Sequence, residues 1–460
     1  MQLKLSGKFA GGLALAALVA MARAEEKTET VDLSDFGSAF VDNWVPPVYP
    51  DGPKKEKLNG QAIVEFIVGP DGRVTEAHLK SASDPRFGQP AVDAVMKWTF
   101  IPARFMGEAQ PSAMDVAVIF RIEQLKKKRQ SLMPPVMPRP LDKTPPRGKK
   151  FSDPIYPAEM ESRKMPGEVQ LEFIVSPQGE ILRPKVTSAS DAAFVAAALD
   201  ALKGWEFEPA HRGTVAVGSE MASPIEFQTF GADRAEVLNA NRVSGWQDAG
   251  LETLPLPVVM PAPAYPFAAL LADEAGEAEV KFTLSDRGLV RDVAVVRATK
   301  PDFGASLAAA VEQWEFKPAM REDRRVPLEL SITWMFAPPE ANAAPHEAAL
   351  ARLVAALKPD GAGVASAAGL DRKLVALWQP GPAYPNALRE QQLTGDAEME
   401  FVIDRTGRVR VPRTVKATAP EFGWAAAMAV GQWVFAPPMR KGEPVEVRAR
   451  ISINFTKPGE

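Results

Sequence analysis

Few side chains in this sequence are placed to do covalent or metal chemistry. There are three histidines, His78, His211 and His346, and no cysteine. Thiolate nucleophiles, disulfides and cysteine metal sites are therefore excluded, and the histidines are too scattered in sequence to suggest a ligand cluster. The polar groups that recur at fixed spacing are phenols and hydroxyls. The four tyrosines, Tyr49, Tyr156, Tyr265 and Tyr384, are each followed by proline, and hydroxyls recur at Ser83, Ser190, Thr299 and Thr418. No histidine or fixed carboxylate accompanies them. The nearest ionisable column is Glu65, Glu172, Lys281 and Glu400, in which one copy reverses sign. General acid–base catalysis needs placed groups of tuned pKa. The expectation is a protein that is not an enzyme and uses neither cofactor nor metal.

What repeats is the scaffold. Eleven residues after each tyrosine stands Gly60, Gly167, Gly276 or Gly395. Phenylalanine follows at Phe66, Phe173, Phe282 and Phe401, and a second glycine at Gly72, Gly179, Gly288 and Gly407. Each copy then has a phenylalanine at Phe87, Phe194, Phe303 or Phe422, and a W-x-F-x-P at Trp98, Trp205, Trp314 or Trp433. It closes on Phe120, Phe227, Phe336 or Phe455, with no gap needed in any copy. The chain thus holds four copies of one unit, whose tyrosines lie 107, 109 and 119 residues apart. Such spacing suits beads on a string better than a stacked solenoid, whose repeats abut.

The elements of one unit follow from periodicity. Ala62, Val64, Phe66 and Val68 alternate, as do Ala397, Met399, Phe401 and Ile403, which marks a half-buried strand. The second glycine sits in a turn leading to another strand, so the pair is a hairpin. Phe87, Ala91, Ala94, Val95 and Trp98 then lie on one helix face. Proline ends that helix. A last strand alternates again, through Val116 and Val118, Leu330 and Ile332, and Val447, Ala449, Ile451 and Ile453. In the second copy it contains Pro224, which implies a sheet edge. With a short helix after each Tyr-Pro, the expected fold is α+β. Each α-β-β-α-β unit is a small antiparallel three-stranded sheet packed by helices, and Pro-rich linkers join the units. Tyr49, Tyr156, Tyr265 and Tyr384, with Trp98, Trp205, Trp314 and Trp433, read as structural residues of the repeat, core packing being favoured over ligand stacking.

The expected layout is a signal peptide at 1–24, unit 1 at 45–123, a basic Pro-rich linker at 124–152 and unit 2 at 153–230. A linker at 231–260, unit 3 at 261–337, an Ala/Gly-rich linker at 338–380 and unit 4 at 381–457 follow. Residues 1–24 carry Lys4 and Lys8, an apolar run and an A-x-A site at Ala22-Arg23-Ala24. That is the pattern of a cleavable secretory signal. The apolar run is shorter than the ~20 residues that a membrane span needs. The expectation is a periplasmic protein cleaved after Ala24; the alternative is a retained inner-membrane anchor. The net charge of −4 argues against a nucleic-acid binder. Residues 126–150 are nevertheless basic and Pro-rich. They read as a solvated spacer, or as a weak contact to an anionic surface.

The units resemble the C-terminal domain of TonB proteins. The matching pattern is Y-P, then G-x-V-x-x-x-F-x-V-x-x-x-G, a serine-containing stretch, W-x-F-x-P and an alternating final strand. Gly395 through Phe435, with Gly442-Glu443-Pro444-Val445 and the strand after it, is a close match. The resemblance implies capture of an extended segment of an outer-membrane receptor, or of another envelope protein, as an added strand. The surface it implies is the last strand, at Val116, Val118, Leu330, Ile332, Val447, Ala449, Ile451 and Ile453. Four copies would make the protein a multivalent binder or scaffold. The alternative is a membrane-anchored TonB-type energy-transducer component for outer-membrane transport. On the sequence alone, Ile451→Pro would block capture by unit 4.

Overall fold

The structure is a computed structural model that describes residues 38–123, 134–228, 231–247, 249–340, 345–358 and 364–457. The expected signal peptide and the basic run at 126–129 lie outside these residues.

The four units share one α+β fold. The first long strand, Gly60–Val68 in unit 1, pairs antiparallel on one side with its hairpin partner Val74–Ala82 and on the other with the last strand, Ser112–Phe120. The other units repeat this with Gly167–Val175, Gly276–Leu284 and Gly395–Ile403 in the centre. Alternation is what buries one face: Ala62, Val64, Phe66 and Val68 are all buried. The unit's main helix covers that face, as Gly88–Val95, Ala192–Leu202, Pro301–Val311 or Pro420–Gly431.

The repeated polar groups hold this packing together. Each tryptophan Nε1 donates to a carbonyl 53 residues earlier: Val45 at 2.9 Å, Ser152 at 3.1 Å, Pro261 at 3.1 Å and Pro380 at 3.0 Å. Each tyrosine hydroxyl donates to a carbonyl nine residues later, those of Leu58, Met165, Glu274 and Leu393. The repeated hydroxyls of Ser83, Ser190, Thr299 and Thr418 accept from a backbone N–H at the start of the first strand, at 2.8–3.0 Å. The phenylalanine opening the main helix contacts the last phenylalanine of the unit, as in Phe87–Phe120 at 4.5 Å and Phe422–Phe455 at 4.4 Å.

The hairpin-turn glycine is required twice over. Gly288 has φ +81°, and a Cβ there would lie 1.8 Å from the Phe316 carbonyl oxygen. The same approach recurs at Gly72, Gly179 and Gly407. Gly288→Ala should therefore cost more than the ~1–3 kcal/mol of a strained φ alone. A drop in melting temperature is expected, and an unchanged one would show that the turn can move away from Phe316.

Two features were not legible in the repeat. A strap strand precedes each Tyr-Pro and pairs antiparallel with the W-x-F strand. These straps are Phe40–Asn43, Arg147–Lys150, Leu256–Val259 and Ala376–Trp378. The units are also not beads on a string. The second linker folds into a helix, Arg234–Ala240, with a capping box between Asp233 and Glu236. Its Val237 and Leu238 are fully buried in the core of unit 3, together with Met165 of unit 2. Val434 of unit 4 packs into the core of unit 2, and the Ala192 N–H donates to Gln432 Oε1 at 3.0 Å. Helix Pro345–Leu357 from the third linker sets Leu353 and Val354 against Leu270 of unit 3 and Val402 and Val411 of unit 4. The linkers carry enough apolar side chains to bury, and buried apolar area outweighs the freedom of a tether. Of segment 126–150, residues 139–140, 143–144 and 147–150 form short strands, so this part is not a free spacer.

Candidate strand-addition edge

In every unit the last strand has the first strand on one side only. Its inward side chains floor the core. Val116, Val118, Leu330, Ile332, Val447 and Ile453 are buried, and Ala449 and Ile451 are half-buried. Their side chains are therefore committed to the core, and a partner strand would meet the peptide groups of the residues between them. The tyrosines are half-buried behind the same strand, and Trp98, Trp314 and Trp433 are buried while Trp205 is half-buried.

The outward peptide groups can be identified. The Leu141 N–H donates to the Ala113 carbonyl at 3.0 Å from outside the sheet. Peptide groups of a strand alternate in direction. In unit 1, then, Ala113, Asp115, Ala117 and Ile119 turn theirs outward. Counting along the repeat puts Glu220, Ala222, Pro224 and Glu226 in the same places in unit 2, and Arg448, Arg450, Ser452 and Asn454 in unit 4. Pro224 stands opposite Gln170 in the ladder, and its missing N–H is on the open side.

The chain itself adds short strands to this edge. Arg139–Pro140, from the linker after unit 1, pairs antiparallel with Met114 and Asp115. Val243–Ser244, from the linker before unit 3, pairs antiparallel with Ile332 and Ser331. Ala365–Ser366, from the linker before unit 4, pairs parallel with Val447 and Arg448. Among the described residues no strand lies on the last strand of unit 2. Each added strand is two residues long against a nine-residue edge, and among the described residues no other strand pairs along the rest of it.

Charge on the outer face differs by copy. In unit 4, burial works against ionisation of Glu400, but hydrogen bonds from Arg450 and Arg413 hold its carboxyl below the usual range. Among the described residues no group of three or more histidines and carboxylates is placed to hold a metal. No described helix is long and apolar enough to cross a membrane.

A family model described as the Gram-negative bacterial TonB protein C-terminal matches residues 45–122, 152–229, 261–338 and 380–456, more than half of the chain. The chain belongs to the TonB C-terminal family. One solved structure similar to a TonB C-terminal unit of this chain is a solution NMR structure of the Pseudomonas aeruginosa TonB CTD. It is 21% identical, covers 21% of this chain and 96% of that one, and has a TM-score of 0.19. No curated protein matches the chain. The TonB C-terminal match carries the recognition that Y-P, the paired glycines and W-x-F-x-P suggested. The strands added from the linkers share no sequence signal, and only the first lies in a proline-rich stretch. The outward place of Pro224 needed the observed ladder, whose phase the Leu141–Ala113 bond sets.

Proposed function

We propose that this protein is an exported, multivalent binding or scaffold protein of the cell envelope. It captures extended segments of other proteins, outer-membrane receptors among them, by adding them to the last strands of its TonB C-terminal units. In this reading the modules are 45–123, 153–230, 261–337 and 381–457, each with the strap strand before it. The proposed binding residues are Val116, Val118, Leu330, Ile332, Val447, Ala449, Ile451 and Ile453, whose side chains set the position of the edge.

The observation that supports this most is the threefold use of one edge. Segments as unlike as Arg139-Pro140, Val243-Ser244 and Ala365-Ser366 all lie on it, in both strand directions. An edge that accepts such different sequences does so through its N–H and C=O groups, which is the basis of β-augmentation. The role is binding rather than catalysis. The test is amide hydrogen exchange on the full chain with and without a synthetic extended peptide from an outer-membrane receptor. Slower exchange at Arg450, Ser452 and Asn454 is expected. If no such peptide slows any last-strand amide, the units are spacers rather than receivers.

A further inference from the structure

In unit 1, Glu65 of the central strand stands directly opposite Asp115 of the last strand. Like charges facing each other across an antiparallel pair destabilise it. Lys80 answers one of them, reaching Glu65 at 2.7 Å. Asp115 has a side chain only 8% exposed, so leaving its charge unanswered would be costly. Lys80 also lies within electrostatic reach of it, but its hydrogen-bonded cation comes from outside the unit. Arg139 Nε donates to Oδ1 at 2.8 Å and Nη2 to Oδ2 at 3.2 Å. This is a two-pronged contact that lysine cannot copy. It falls on a registered pair of the added strand, and the Leu141–Ala113 hydrogen bond continues the ladder beside it.

Arg139 itself is 77% exposed, so the clasp can be undone from solvent without opening the core. The same column in the other copies holds Ala222, Ser331 and Arg450. In unit 3 it is again matched by the added strand, Ser331 Oγ lying 2.9 Å from Ser244 Oγ. The column therefore meets a complementary residue in both copies where an added strand reaches it.

We propose that in units 1 and 3 this column reads the added strand, and that Arg139-Pro140-Leu141 is an internal occupant of a binding site in unit 1. The external ligand of that site is an extended segment of another protein with an arginine opposite Asp115, which displaces the linker. The proposal rests on the strand-addition reading above.

The experiment uses the full chain, a synthetic peptide of residues 136–144, and the same peptide carrying Arg139→Glu. In the variant Arg139→Ala, hydrogen exchange at Leu141 should speed up by about tenfold, equivalent to about 1.4 kcal/mol of lost holding energy. That variant should bind the arginine peptide at least about tenfold tighter than the unaltered chain does, and prefer it to the glutamate peptide by a similar factor. Adding Asp115→Asn, which keeps the side chain's shape, should erase the preference. Unchanged exchange at Leu141 would overturn the proposal, as would equal binding of both peptides. Failure of strand addition itself shows up separately, as last strands in unit 4 that no extended peptide protects. Protection in unit 4 without charge preference in unit 1 overturns only the present inference.

Discussion

Trp314→Ala is expected to destabilise unit 3 by about 3–5 kcal/mol, the range for deleting a large core aromatic. Trp314 is 1% exposed and packs edge-on against Phe282, with ring centres 6.1 Å apart. Truncation removes that packing and leaves a cavity. It also removes the donor to the Pro261 carbonyl, and a carbonyl left unpaired in the interior adds roughly 1–3 kcal/mol if water cannot reach it. The effect should not stay inside the unit. The same core holds Met165 of unit 2 and Val237, Leu238 and Val243 of the preceding linker. Loosening it should release the linker helix and the Val243–Ser244 strand together. Urea denaturation should show a lower midpoint, and hydrogen exchange should rise through 234–336 while unit 1 keeps its protection. Trp314→Phe should lose less, because it refills part of the cavity. A midpoint equal to the parent's would mean that Trp314 is not a support of this core.

Ser452→Pro should weaken strand capture by unit 4 tenfold or more while leaving its fold intact. Ser452 holds in unit 4 the place that Pro224 holds in unit 2. Its side chain is exposed, and it stands opposite Glu398 in the ladder with its peptide group turned outward. Proline there removes a donor that only an added strand would use. One lost hydrogen bond is worth about 1 kcal/mol, several-fold in affinity. The ring also hinders approach along the edge, so a loss of tenfold or more is expected. The reciprocal change, Pro224→Ser, should give unit 2 the missing donor and raise its affinity. Ile451→Pro, which the sequence alone suggested, is the wrong variant. Ile451 stands opposite Met399 with its peptide group turned to the central strand, and its half-buried side chain packs against the core of unit 4. Proline there would break the sheet and confuse unfolding with lost binding. Calorimetric titration with a peptide that protects unit 4, run beside hydrogen exchange of the main helix, separates the two. Undiminished binding by the Ser452→Pro protein would place the receiving surface elsewhere.

The difference between Ile451 and Ser452 shows where sequence reading stopped. Alternation identified the last strand and told which side chains face the core, since burial has a period of two that side-chain type reports directly. It did not tell which peptide groups face the partner. That follows from the ladder, and the ladder needed one observed bond, Leu141 to Ala113, to fix its phase. Trp314 shows the opposite case. Its repeat spacing and the proline after it marked it as a core residue, and in the structure it is fully buried.

The sequence by itself determined the four copies, the α-β-β-α-β order within each and the TonB C-terminal resemblance. Those features are carried by side chains whose shape or conformational range is needed at a fixed spacing: Gly288 under the Phe316 carbonyl, Trp314 in its pocket, Phe303 beside Phe336. Only the tertiary structure decided how the copies dock and which linker residues lie on which edge. Arg139-Pro140, Val243-Ser244 and Ala365-Ser366 have no common pattern, because joining a sheet edge uses N–H and C=O groups that nearly every residue has. Their positions depend on where docked neighbours bring the chain, and local composition does not encode that.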